Sequence, residues 1–350
     1  MQDKQFPPGH REIKRIGIFR ALYLGDMLCI IPAVRAVRKA FPSATITLIG
    51  LPWAEQFAAR FPGYFNNFVG FPGWPGLPEQ EARIEAIVPF LKLMRAEQFD
   101  LVLQMHGNGY VTNNLCAMWN AKYTVGVRSI FQDIPDKGVY PVSEDDDHEV
   151  LRFLKLTDAL GISQQGTELE FNFIGDEFRS FKQMWASLSL TPGNYLCLHP
   201  GARDERRRWP ADKFVFLADH LCALGHEIVL TGSIQEAKLL DDLQTRISYP
   251  VTNIIQRFGN VGLGELAAFI RHSKMLISND TGVSHIASAL KTPSVIIFSP
   301  YSDVGRWAPL DHERHRVIGP EENDDPEYVL YRILDHLDKK PAIMRGTFQQ

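Results

Sequence analysis

Apolar positions along this chain switch repeatedly between two periods. Short apolar runs mark strands buried on both faces, and between them apolar residues recur at the three- and four-residue spacing of a helix face. Residues 15–20 open as a strand, and residues 27–40 carry helical periodicity through Leu28, Ile31, Val34, Val37 and Ala40. Phe41-Pro42 stops that helix before a β-branched strand at 45–49. Such a β–α–β unit demands a right-handed crossover and parallel strands. Helices over 79–97, 111–119 and 150–160, with strands at 99–105 and 125–128, continue the first half. After Gly161 the periodicity weakens. It then resumes strictly, with strands at 195–198, 227–231, 252–255, 274–278 and 294–298. Helices at 212–224, 234–246, 263–271 and 281–290 separate them.

This alternation specifies an α/β protein of two doubly wound parallel sheets. The 350 residues are long for a single core and suit two domains. The expected division is 1–173, 174–325 and a C-terminal helix and tail, 326–350, free to pack back on the first domain. The two domains are expected to face each other across a cleft. Residues 51–78 interrupt the pattern with Pro, Gly and the aromatics Phe57, Phe61, Tyr64, Phe65, Phe68, Phe71 and Trp74. That segment suits a lid, an acceptor surface or a packed irregular insert equally well.

Composition narrows the partners. A net charge of −4 without a dense basic run argues against nucleic acid. Cys29, Cys116, Cys197 and Cys222 stand singly in apolar surroundings, as buried reduced thiols do. No apolar run approaches the roughly 20 residues of a membrane helix, and the polar residues 1–15 do not read as a targeting segment. The expectation is a cytoplasmic protein with at most peripheral membrane contact. The run Glu144-Asp145-Asp146-Asp147-His148-Glu149 has the residue types of a metal site, but it reads as the solvated acidic start of a helix.

Chemistry concentrates in a few turns. Asp280-Thr281-Gly282 follows an apolar strand and opens a helix, with Thr281 as N-cap and His285 one turn on. A strand, a glycine turn and a helix N-terminus make a ready anion site. His199-Pro200-Gly201-Ala202 ends another strand, and Arg206-Arg207-Arg208-Trp209-Pro210 follows it. Three consecutive arginines point different ways, so at most one or two reach one ligand. This set suits a diphosphate, with glycine for close approach, amides as donors and an arginine as counter-charge. Asp26, in the turn after the first strand, is either an N-cap of the following helix or a general base at the carboxyl edge of the sheet.

Together these segments resemble glycosyltransferase family 9, the heptosyltransferase-like enzymes. The resemblance runs from Arg20 to Leu28 with Ile31-Pro32-Ala33, through Phe99-Asp100-Leu101-Val102-Leu103 with Gly107-Asn108. It continues in His199-Pro200-Gly201-Ala202, Arg207-Arg208-Trp209-Pro210 and Asp280-Thr281-Gly282 with His285. It implies a GT-B fold and an inverting glycosyltransferase that needs no metal or other cofactor. A nucleotide sugar, ADP-heptose in the best-known members, would be the donor. A saccharide or glycolipid such as the lipopolysaccharide core would be the acceptor.

Carried over, Asp26 matches the catalytic base and Gly25 the glycine shaping its turn. Arg207 stands where a lysine usually holds the diphosphate, after the phosphate loop of Gly201 and Ala202. Thr281, Gly282 and His285 match the diphosphate and sugar turn, Asp280 supports sugar hydroxyls, and Gly232 and Glu236 lie at the ribose. Tyr23, Asn108 and Arg128 are the acceptor-side candidates, with Arg60 and Arg83 as further cations. Leu22-Tyr23 departs from the family's usual Ser-Ser. The rival readings are a nucleotide-sugar epimerase of the same fold and a non-catalytic nucleotide-sugar binder. A NAD-dependent oxidoreductase fits less well, because the first turn lacks a glycine triplet.

Overall fold

The computed structural model describes residues 13–135, 138–143 and 147–338. It divides into two compact units, 1–174 and 175–350. Both are α/β with wholly parallel sheets.

In the first unit the strands are β1 (Arg15–Phe19), β2 (Thr45–Gly50), β3 (Asn67–Gly70), β4 (Leu101–Gln104) and β5 (Tyr123–Gly126). They lie in the order β3-β2-β1-β4-β5. The chain winds outward from β1 to β3, then crosses to β4 and β5, which puts the topological switch between β1 and β4. In such sheets ligands gather at the carboxyl ends of the strands flanking the switch. Asp26 follows β1 and His106 follows β4.

The aromatic stretch 51–78 is an integral part of this unit. It supplies the helix Ala54–Ala59 and the edge strand β3. Phe57, Phe61, Phe65 and Phe71 are buried. Phe71 meets Phe19 edge-on at 5.0 Å, so the aromatics fill core volume rather than present a surface. The long first helix expected at 27–40 is in fact two, Leu24–Cys29 and Ile31–Ala40. Pro32 has no N–H to give the Leu28 carbonyl, and the break falls at Ile30, two residues before it.

The second unit holds β6 (Tyr195–His199), β7 (Glu227–Leu230), β8 (Thr252–Asn253), β9 (Met275–Asn279), β10 (Ser294–Ile297) and β11 (His315–Ile318). Their order is β11-β10-β9-β6-β7-β8, with the switch between β6 and β9. The expected strand at 252–255 stops at Asn253. Its side chain accepts from the Ile255 and Gln256 amides and starts the helix Ile254–Phe258. A helix absent from the sequence reading, Glu177–Ala186, packs on Leu263–His272 through Phe181 against Phe269. The helix Pro326–Asp338 lies in this unit, against Ala211–Ala223, and His336 bonds the Arg314 carbonyl at 2.9 Å. Residues 339–350 lie outside the described part. No described helix is long and apolar enough to cross a membrane. All four cysteines are free; Cys222 is half-buried rather than buried.

Candidate functional site

In the second unit, two loops and a helix N-terminus meet at the switch point. Asn279, the last residue of β9, ties the loops together. Its amide nitrogen donates to the Pro200 carbonyl at 2.7 Å, and its oxygen accepts from the Trp209 amide at 2.9 Å. One buried side chain thus sets the loop after β6 against the arginine loop. Asp280 follows and is almost wholly buried. Its Oδ2 accepts from both Arg207 Nη2 and Ser302 Oγ, and Arg207 Nη2 also lies 3.1 Å from Ser302 Oγ. Asp280 Oδ1 and Arg207 Nε are buried and have no hydrogen-bond partner among the described residues.

Of the three arginines only Arg207 turns to this site. Arg206 pairs with Asp204, and Arg208 bonds the Ala202 carbonyl and Glu205. The helix Gly282–Leu290 starts here with Thr281 as its N-cap residue, but the Thr281 hydroxyl makes no capping bond. Instead the Thr281 carbonyl accepts from the Ser284 amide and hydroxyl. That corrects the expectation of a self-capped helix and leaves the first turn to other acceptors. His285 is buried one turn in, edge-on to Trp307 at 6.1 Å.

Glu236 closes the other side. Its Oε2 accepts from the Ser233 amide at 2.8 Å and hydroxyl at 2.9 Å, which completes a capping box. The carboxylate lies so close over Gly201, and near Gly232, that a Cβ at Gly201 would collide with it. Gly201→Ala should therefore push Glu236 off Ser233. The expected loss is about 1 kcal/mol of stability, read by chemical denaturation; a variant as stable as wild type would contradict this. Burial, opposed by the Glu236 charge, holds the imidazole of His199 below its ordinary pKa. His199 Nδ1 lies 3.0 Å from the Thr231 hydroxyl.

In the first unit, Asp26 lies inside the first turn of the helix Leu24–Cys29, whose N-cap is Tyr23. It is not itself an N-cap, since the Met27 amide already bonds the Tyr23 carbonyl at 2.9 Å. Gly25 is likewise a helix residue rather than a turn residue. Arg20 Nη2 reaches Asp26 Oδ1 at 3.4 Å and Glu149 Oε1 at 2.7 Å. Glu149, expected at the solvated start of its helix, is fully buried. Residues 144–146 of that acidic run lie outside the described part. Among the described residues no group of three or more His, Cys, Asp or Glu is placed to hold a metal ion.

His106 Nδ1 accepts from the Ala21 amide at 3.1 Å, so a proton on Nε2 faces Glu79, 3.5 Å away. Burial raises the Glu79 pKa, but His106 and the Arg20 charge outweigh it and the net shift is downward.

The acceptor-side candidates are largely committed to the fold. The Tyr23 hydroxyl donates to the Glu79 carbonyl at 3.0 Å, and Asn108 accepts from the Tyr110 amide. Arg128 spends its guanidinium on the Tyr140, Ser129 and Ile130 carbonyls. Arg60 is buried beneath the surface, over the Phe171 ring and bonded to the Asn172 carbonyl; Arg83 is exposed. Arg20, Glu79 and Ser302 received no role from the sequence, and Glu149 only that of a solvated helix start. The contacts Arg20–Glu149, Glu79–His106 and Ser302–Asp280 join residues remote in the chain, and no local pattern announces them.

Known proteins carry the same pattern. A sequence profile of glycosyltransferase family 9 (heptosyltransferase) matches residues 87–337, a stretch that includes Arg207, Glu236 and Asp280 but not Asp26. Lipopolysaccharide heptosyltransferase 3 of Escherichia coli K12 is 25% identical over 300 residues, covering 82% of this chain and 83% of that protein. Among solved structures, a family 9 glycosyl transferase from Veillonella parvula superposes with a TM-score of 0.73 at 20% identity, covering 96% of this chain and 92% of that one. The E. coli ADP-heptose lipopolysaccharide heptosyltransferase II gives 0.70 at 20% identity, covering 93% and 98%. These likenesses fix the fold as that of the GT-B heptosyltransferases. With its profile spanning well over half of the sequence, the chain belongs to glycosyltransferase family 9 and is a glycosyltransferase.

Proposed function

We propose that this enzyme transfers heptose from ADP-heptose to a saccharide hydroxyl of a lipopolysaccharide core, with inversion at the anomeric carbon and without a metal ion. Asp26 takes the proton from the acceptor hydroxyl as its oxygen forms the new bond to C1. The bond from C1 to the diphosphate oxygen breaks on the opposite face, and ADP departs. Arg207, the amides of the Thr281–Gly282 turn and the helix dipole stabilise the charge that grows on the leaving phosphate. Glu236, held by Ser233, accepts from the ribose hydroxyls, while Gly201, Ala202 and Gly232 allow close approach of the nucleotide. His285 supports the sugar side of the same turn. Tyr23, Asn108 and Arg128 border the acceptor. A lipid-anchored acceptor puts the reaction at the cytoplasmic face of a membrane, which the enzyme touches peripherally.

The observation that supports this reading most is the pair of unspent buried atoms, Asp280 Oδ1 and Arg207 Nε, beside a helix N-terminus. Buried polar atoms rarely go unpartnered. A sugar hydroxyl and a phosphate oxygen would satisfy them, one each. The names of the two E. coli relatives supply the donor and acceptor classes.

A thermal-shift series against ADP, UDP, GDP, CMP and NAD, without and with magnesium, tests the donor site. A ligand at about 100 times its Kd stabilises the fold by roughly 2.7 kcal/mol. ADP is expected to raise the melting temperature equally in EDTA and in magnesium. A shift that needs magnesium, or one produced by NAD alone, would remove the metal-free diphosphate site from consideration.

A further inference from the structure

The most elaborate charge arrangement in the first unit surrounds Asp26 without belonging to the donor site. Arg20 is completely buried, and every face of its guanidinium is engaged. Nε donates to the Asp26 carbonyl at 3.0 Å, Nη1 to the Met105 carbonyl at 2.5 Å, and the plane lies over the Phe153 ring at 4.6 Å. Nη2 serves two carboxylates, Glu149 at 2.7 Å and Asp26 at 3.4 Å. On its other side Glu149 Oε2 faces Arg152 Nη1 at 3.9 Å, with both side chains about 1% exposed. In these contacts Arg20 and Arg152 supply two positive charges, and Glu149 and an ionised Asp26 two negative ones. Among the described residues, Glu79, paired with His106 from the segments after β3 and β4, also feels the Arg20 charge.

We infer that Arg20 and Glu149 are positioning residues that set the basicity and direction of Asp26. This rests on the reading of Asp26 as the base. A lone buried arginine against Asp26 would form a short ion pair, occupy the oxygen needed for the acceptor proton and make Asp26 a poorer base. Glu149 takes the shorter bond to the shared nitrogen, so Asp26 keeps a longer, weaker contact. The Nε bond to the Asp26 carbonyl meanwhile anchors the backbone that carries it. Burying Glu149 also removes a compensating charge from solvent screening, so its effect on Asp26 is felt at short range in a low-dielectric setting.

The test reads Asp26 directly, with no need of substrate. The full chain is labelled with carboxyl-13C aspartate, and the Asp26 resonance is identified as the one missing from Asp26→Asn. Its titration is then followed in wild type, Glu149→Gln and the double variant Arg20→Gln/Glu149→Gln. Glu149→Gln should lower the midpoint by about one pH unit, because Arg20 then pairs with Asp26 alone. The double variant removes one charge of each sign and so avoids a new unbalanced buried charge. It should raise the midpoint above wild type. A midpoint that stays at the wild-type value in both variants, or one that moves in the opposite sense in either, overturns the inference; should Glu149→Gln not fold, the double variant alone decides. A purely packing role would alter stability and leave the midpoints alone. Turnover separates the two readings. Asp26→Asn that still transfers sugar defeats the base assignment, whereas an inactive Asp26→Asn with unmoved midpoints defeats only the positioning role.

Discussion

Asp26→Ala is expected to reduce kcat by about 10²- to 10⁴-fold, the usual worth of a positioned general base, with ADP binding nearly unchanged. The separation follows from where the residue sits. Asp26 lies in the first unit, on the helix after β1, whereas Arg207, Glu236 and Asp280 all lie in the second. Its loss leaves Arg20 bonded to Glu149 and the Met105 carbonyl, so the local fold keeps its anchor. The ion pair removed is long, at 3.4 Å, and Asp26 is partly exposed, but Arg20 is buried, so the variant also costs some stability. Steady-state ADP release with acceptor, together with calorimetric titration of ADP, measures both quantities. Undiminished transfer would sink the assignment of Asp26; lost ADP binding would mean that its role lies in holding donor.

Arg207→Ala should show the complementary pattern, with kcat/KM reduced by roughly 10²- to 10³-fold and ADP affinity falling with it. Arg207 presents one nitrogen to Asp280 and Ser302 and keeps Nε unspent, so the planar fork is arranged to hold a second acceptor. Removing it also leaves the Asp280 carboxylate, about 2% exposed, with Ser302 as its remaining partner. Some of the loss is therefore a cost to the site rather than to the chemistry. Arg207→Lys separates the two. A lysine keeps the charge but offers a compact ammonium in place of the fork, so an intermediate rate is expected. If the lysine variant matches wild type, the fork geometry plays no part; if the alanine variant does, the phosphate role of Arg207 is wrong.

The alternation of strands and helices was legible because parallel strands here are buried on both faces. Each therefore appears as an unbroken apolar run, as β9 and β6 do. Elements that depart from that rule escaped. β3 is an edge strand of half-exposed residues inside an aromatic stretch, so it shows neither an apolar run nor clean alternation. β11 is short and carries His315 and Arg316, and the helix Glu177–Ala186 buries Phe181 alone. The Ile254-Ile255 pair has strand propensity, but Asn253 ahead of it caps a helix, and the cap won. The turn residues were legible for a different reason. Asp280, Thr281, Gly282 and Gly201 stand where a strand hands over to a helix, and that junction is a local pattern.

Sequence alone determined what depends on near neighbours: the α/β class, the strand–turn–helix junctions, the family motifs and the residues at the strand ends. The tertiary structure decided which of those residues meet. Arg207 and Asp280 are 73 positions apart, Arg20 and Glu149 129, and Asn279 reaches 70 and 79 positions to join two loops. Those pairings arise only when each sheet forms and sets side by side the carboxyl ends of strands that are remote in sequence. Burial then makes each charge seek a partner it could do without in water, since an unpaired ion inside the fold costs several kcal/mol. A sequence shows which residues can be charged; the fold decides which charges are forced together.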